Sequence, residues 1–245
     1  MIALDVGSSQ EALEMISRLE GAVDHADPLY VKIGMQLYYA EGPGLIERLK
    51  KRGVSVFLDL KLYDIPNTVK GAACSLTRLG VDMFNVHCAG GVKMMEAALE
   101  GVEQGLERQR ERPKVIGVTH LTSISRQVMN EQIGIPGTVE EAVLHYALLS
   151  QQAGLDGVVC SPVEVPVVKR ACGMNFLTVT PGIRPVDGFN DDQVRVSTPR
   201  EALELGTDYM VIGRAVLNAD DPAEAYRSIL NEITVDRSPG RRRIF

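Results

Sequence analysis

The stretch FLDLKLYDIP, from Phe57 to Pro66, places Asp59, Lys61 and Asp64 inside an otherwise strand-like apolar run. Residues 57, 59 and 61 share one parity and Leu58, Leu60 and Leu62 the other, so in a strand the acid and the base face one side and the leucines the opposite side. An ordinary buried ion pair would account for Asp59 and Lys61 alone, but it gives no reason for Asp64 to stand just beyond them or for Lys32 to stand on a neighbouring strand. A lysine between carboxylates stays protonated, because opposite charges favour its charged form. It is then an acid, unsuited to Schiff-base chemistry, which needs the neutral amine. Carboxylates set against an anionic substrate repel it, and that repulsion is relieved if the substrate carboxylate leaves as neutral carbon dioxide. The ammonium can stabilise and then protonate the carbanion left behind. Asp–Lys–Asp therefore points to decarboxylation without a cofactor.

Such residues must be held by something. Short runs rich in β-branched residues recur at 2–6, 29–34, 54–61, 83–88, 114–121, 157–161, 176–182 and 209–214, each suited to a strand covered on both faces. Between them lie helical patterns. The segment 9–21 opens with a serine cap and closes at Gly21; 138–154 carries a Thr138–Glu141 capping box and stops at Gly154. Residues 197–206 have Pro199 near the start and Gly206 as the stop, and 221–233 follow the last strand; helices also fit 43–52, 65–79, 90–105 and 162–172. Eight alternating units in 245 residues predict an α/β chain folded as a single (β/α)8 TIM barrel spanning 1–245, with its active site at the C-terminal ends of the strands. The turn after the first strand, DVGSSQ, lacks the GxGxxG of a doubly wound dinucleotide fold. No linker and no strong repeat beyond the βα alternation is evident.

Seven of the eight strands carry polar groups toward that end: Asp5, Lys32, Asp59 with Lys61, His87, Thr122 with Ser123, the TPGIR segment containing Pro181 and Arg184, and Gly213-Arg214. Charges inside a barrel are costly unless paired, so packing alone does not explain the pattern. PGIR and VIGRAV look like loops that receive an anion: Gly213 would admit a close backbone approach, and Arg214 would supply a fork of donors. The polar stretch 184–195 reads as a lid that orders when phosphate binds.

With these motifs the chain resembles the orotidine 5'-monophosphate decarboxylase family. The matching pieces are ALDVG, VKIGMQLY, FLDLKLYDIPNTV, FNVHCAGG, GVTHLTS, LTVTPGIR, NDDQVRVSTP and VIGRAV, which span almost the whole chain in order. The resemblance implies that Lys61 donates a proton to carbon 6 of the pyrimidine, that Asp59 opposes the substrate carboxylate, and that Lys32 joins them and contacts the ribose. It implies that Asp5 binds a ribose hydroxyl, and that Asp64 and Thr68 reach across a homodimer interface into the neighbour's site. Thr122 and Ser123 match the loop that contacts the pyrimidine, Arg184 and Gln193 bracket the lid, and Gln193, Gly213 and Arg214 match the phosphate grip. The family implies no metal and no organic cofactor.

Other features are bland. His87 is read as supporting the network or the interface; His25, His120 and His145 show no paired metal-ligand spacing. Cys88 and Cys160 read as small core hydrophobes and Met94 and Met95 as helix packing. The chain is 45% hydrophobic and 24% charged, with a formal net charge of -6, which offers nucleic acid no basic face. No apolar run is long enough for a membrane span. The four cysteines include no CxxC pair, and the N-terminus lacks a signal-peptide pattern, so a reducing cytoplasm is expected. Arg241 to Arg243 read as a solvated tail. Two other functions share some of these features: a magnesium-dependent keto-sugar-phosphate decarboxylase or aldolase on a related barrel, and a non-catalytic nucleotide-binding barrel. The LTS loop and Gln193 favour the nucleotide substrate over the first. Carboxylates that repel an anionic ligand argue against the second.

Overall fold

The computed structural model describes residues 1–22, 28–108, 110–184 and 197–234. Eight parallel strands form one sheet in chain order: β1 Ile2–Ala3, β2 Tyr30–Gly34, β3 Ser55–Leu62, β4 Met83–His87, β5 Lys114–Val118, β6 Gly157–Val159, β7 Leu177–Thr180 and β8 Tyr209–Met210. A parallel bridge between Ile2 and Ile212 brings the last strand back to the first, with Ala3 N donating to Ile212 O at 2.7 Å. The sheet thus closes as the alternation predicts.

The helices are α1 Ser9–Leu19, α2 Met35–Glu41, α3 Pro43–Lys51, α4 Pro66–Leu79, α5 Gly91–Gly105, α6 Val139–Gln152, α7 Val165–Cys172, α8 Pro199–Glu204, α9 Arg214–Leu217 and α10 Pro222–Thr234. Thr138 and Glu141 form the expected reciprocal box at α6. The cap of α1 is Ser8, one residue before the segment read from the sequence. The ladders stop earlier than the apolar runs suggest, most clearly at β1 and β8. At these ends the chain leaves its neighbour to carry polar side chains, and hydrophobicity alone does not reveal where pairing stops. Helix α2 was not anticipated: Gly42 and Pro43 divide it from α3, and its seven residues are too few for a clear period. A π-helical turn at Val128–Ile133 was also unforeseen.

Strand parity sorts the core. Ala3, Phe57, Met83, Ile116, Val179 and Val211 form a cluster inside the ring, whereas Leu58, Val31, Ile33, Phe84 and Val86 pack outward against the helices. The inner cluster is a floor on which the polar residues further along the same strands stand.

A short Gly-x-Asp repeat, invisible to hydrophobic patterning, recurs at the opposite end of the strands. Gly80-Val81-Asp82, Gly154-Leu155-Asp156 and Gly206-Thr207-Asp208 precede β4, β6 and β8. Each glycine has φ between 81° and 91°, the left-handed stop of the preceding helix. Each middle residue is buried. Each aspartate accepts the backbone N–H of the preceding strand in the ring: Val56, Val115 and Thr178 N all donate at 2.7 Å. A cation completes each clamp: Lys50 at 2.6 Å, Arg112 at 2.8 Å and Lys169 at 2.5 Å.

Candidate active site

At the C-terminal rim four charges form a continuous chain. Lys32 Nζ lies 3.2 Å from Asp5 Oδ1 and 3.4 Å from Asp59 Oδ2, and Lys61 Nζ lies 2.8 Å from Asp59 Oδ1. Asp59 and Lys32 are the most enclosed, with side chains 14% and 12% exposed, whereas the Asp5 side chain is 55% exposed. Burial pushes the Asp59 carboxyl up, but Lys32 and Lys61, with hydrogen bonds from Lys61 and Asn85, outweigh it and hold the group below the usual carboxylate range. Asp59 therefore remains an anion although it is nearly enclosed.

The elements explain the convergence. Asp59 stands above Phe57 on β3, and Lys32 stands above Tyr30 on β2. A Cβ built on Gly34 would lie 3.4 Å from Lys32 Nζ and 3.6 Å from Asp5 Oδ1, and one on Gly213 would lie 3.7 Å from Asp5 Oδ2. The ends of β1, β2 and β8 therefore meet around Asp5. Gly213 directly precedes α9, whose first residue is Arg214, so both stand on the rim that holds the charges.

Lys61 is the only non-glycine residue with positive φ, 54°, among the described residues. Between Leu58, paired with Phe84, and Leu62, paired with Val86, β3 bulges away from β4. Asn85 faces this bulge. Its Oδ1 accepts from Lys61 N at 2.7 Å and its Nδ2 donates to Asp59 Oδ1 at 2.7 Å. The sequence reading passed over Asn85, yet a signal was present: an amide in the middle of a buried run, sharing parity with Met83 and His87, in a residue type that strands disfavour.

His87 lies at the end of β4 with its ring against Tyr63, centroids 5.5 Å apart. Burial and then Lys61 lower its pKa, and its Nδ1 accepts from Ala89 N at 3.2 Å. The imidazole is thus neutral at pH 7 and occupied with its own loop. Cys88 and Cys160 are buried, as are Met94 and Met95. Burial pushes the Cys88 thiol up to about 12, so it is inert.

Asp64 differs from the picture of one lysine flanked by two carboxylates. Within one chain it makes no ion pair with Lys61; its Oδ1 accepts from Ile65 N at 2.6 Å at the start of α4. It lies past the strand end, where the chain turns outward, in the run Tyr63 to Thr68 that is exposed throughout. Thr122 and Ser123 occupy a turn after β5 closed by Ile124 N donating to Leu121 O at 3.0 Å. Pro181 follows β7, and Arg184 N donates to Ser197 O at 2.9 Å. Gln193, most of the segment read as a lid, His25 and the tail arginines lie outside the described residues. Among the described residues no three His, Cys, Asp or Glu side chains converge to hold a metal ion, and no helix is long and apolar enough to cross a membrane.

A closed (β/α)8 barrel with a lysine–carboxylate network at the C-terminal ends of its strands defines the class. Residues 1–229 match the family model described as Orotidine 5'-phosphate decarboxylase / HUMPS family, and the chain belongs to that family. Curated relatives named orotidine 5'-phosphate decarboxylase from Bacillus mycoides (strain KBAB4) and Bacillus cereus (strain B4264) are each 52% identical over 229 residues, 94% of this chain and 94% of theirs. Among solved structures, an orotidine 5'-phosphate decarboxylase from Lactobacillus acidophilus is 38% identical with a TM-score of 0.85, covering 95% of this chain and 97% of its own. An uncharacterized conserved protein from Geobacillus kaustophilus is 45% identical with a TM-score of 0.83, covering 95% and 99%.

Proposed function

We propose that the chain, working as one barrel domain in the cytoplasm, decarboxylates orotidine 5'-monophosphate to uridine 5'-monophosphate without metal or organic cofactor, a step of pyrimidine synthesis. The observation that carries this reading is the Asp5–Lys32–Asp59–Lys61 chain at the rim, in a protein 52% identical to curated decarboxylases of that nucleotide. Asp59, held anionic, is set against the substrate carboxylate. When the bond from the ring to the carboxylate breaks, carbon dioxide departs and the electron pair stays on carbon 6. Lys61 Nζ then gives that carbon a proton and regains one from solvent. The fixed ammonium stabilises developing negative charge without reorganising. Lys32 and Asp5 bind the ribose, Thr122 and Ser123 the pyrimidine, and Pro181, Arg184, Gln193, Gly213 and Arg214 the phosphate end. Asp64 and Thr68 serve the site of a second copy in a homodimer, which accords with their exposure on the outward turn. The loss of nucleotide absorbance as orotidine monophosphate is consumed, followed in EDTA, tests the reaction. Undiminished turnover in EDTA is expected. Activity abolished by EDTA and restored by magnesium would point to the metal-dependent chemistry of keto-sugar phosphates, and tight nucleotide binding without turnover would point to a binding protein.

A further inference from the structure

We propose that Asn85 is a positioning residue of this site, whose side-chain amide replaces the missing strand ladder and fixes Lys61 and Asp59 against one another. The inference rests on the decarboxylase reading above and adds to it a residue outside the charged set. Leu58 pairs with Phe84 and Leu62 with Val86, so residues 59 to 61 of β3 face Asn85 alone on β4. A bulge leaves its extra residues without ladder partners. Asn85, 1% exposed, supplies two substitutes: its Oδ1 accepts Lys61 N–H and its Nδ2 donates to Asp59 Oδ1, both at 2.7 Å. Lys61 Nζ donates to that same Asp59 oxygen at 2.8 Å. The three residues therefore close a ring in which every link has one permitted direction. A main-chain N–H can only donate and a carboxylate can only accept, so the amide has one usable orientation. Lys61 sits at φ 54°, a left-handed conformation that is unfavourable for a residue bearing a side chain and persists only where its surroundings enforce it. The amide is the group that meets the strained peptide, and through it the ammonium is turned back onto Asp59.

The experiment compares Asn85→Ala and Asn85→Asp with wild type, in turnover of orotidine monophosphate from about pH 5 to pH 8 and in crystal structures of both variants. Asn85→Ala should lower kcat by about a hundredfold with KM changed less than about threefold, because fixed geometry acts mainly on the transition state. Asn85→Asp keeps the shape. Protonated, its carboxyl still donates to Asp59 and accepts from Lys61 N–H; ionised, it repels Asp59. The two carboxylates titrate as a pair, so the deficit of Asn85→Asp relative to wild type should grow at least about tenfold from the acid to the alkaline end. A residue that merely keeps β4 folded would give no such slope. In the Asn85→Ala crystal, Lys61 should relax to negative φ. Should Asn85→Ala fail to fold, the pH slope and crystal structure of Asn85→Asp decide. Asn85→Ala turnover within about threefold of wild type, a flat Asn85→Asp ratio, or Lys61 retaining its positive φ in Asn85→Ala would each overturn the proposal. If wild type itself shows no turnover, the decarboxylase reading fails, while the Lys61 backbone in the variant still judges the positioning claim separately.

Discussion

Lys61 combines three features: an ammonium 2.8 Å from Asp59, a backbone in the left-handed region and a main-chain N–H held by a side chain. Removing its amine leaves the backbone device in place and takes away the only proton donor in the proposed mechanism. Lys61→Ala should therefore lose nearly all turnover while keeping its fold, judged by an unchanged circular dichroism spectrum. More than about a tenth of wild-type turnover, a barrier increase under about 1.4 kcal/mol, would remove Lys61 from that role. Asp59 also sets a pH dependence. Its pKa is depressed in the folded state, so its contribution to stability is fully present above the unfolded value of about 3.9 and is lost as pH falls through the lower folded value. Neutral His87 adds no cation to this network at pH 7.

At the scale of elements, the exposed run holding Asp64 and Thr68 leads into and opens α4, and α5 sets where α4 lies. A Cβ on Gly101 would fall 2.2 Å from Lys70 O and one on Gly105 would fall 2.5 Å from Cys74 O. Both obstacles are backbone, so the helices must part to admit even a methyl. Gly101→Ala should lower stability by about 1–3 kcal/mol through overpacking, seen as a melting temperature lower by about 2–4 °C for each kcal/mol in a chain of this size. An unchanged melting temperature would show that the helices separate freely. This contact was not legible in the sequence, because a glycine inside a helix does not announce what approaches it. The strands were legible, since burial on both faces selects continuous β-branched runs, and so was the rim, since paired charges on alternating positions have few packing explanations. The strand ends, α2 and the bulge at Lys61 were not, because each depends on which neighbour stops pairing. Asn85 falls between these cases: its type and parity were visible, but its purpose depends on the bulge opposite.

For the molecule as a whole, Tyr63 and Ile65 are 63% and 68% exposed beside Asp64, an apolar surface suited to a second barrel. If each copy completes the other's site, two inactive variants should repair one another. Lys61→Ala and Asp64→Ala, mixed under subunit exchange, would give mixed dimers in which one site carries both defects and the other neither. Activity should return to about a quarter of wild type per total site, since about half the dimers are mixed and each has one intact site of two. No recovery, with exchange verified by native mass spectrometry, would mean that Asp64 serves its own barrel.

The three Gly-x-Asp clamps have a consequence for how the ring is assembled. Each joins an even strand to the odd strand before it: β4 to β3, β6 to β5, β8 to β7. Each also recruits a cation, from α3, from the approach to β5 or from α7. The seams between β4 and β5 and between β6 and β7 have no such clamp among the described residues. Six of the eight strands are therefore joined as three two-stranded cassettes, stapled within and laddered between, and new chain termini would disturb them least where one cassette ends and the next begins.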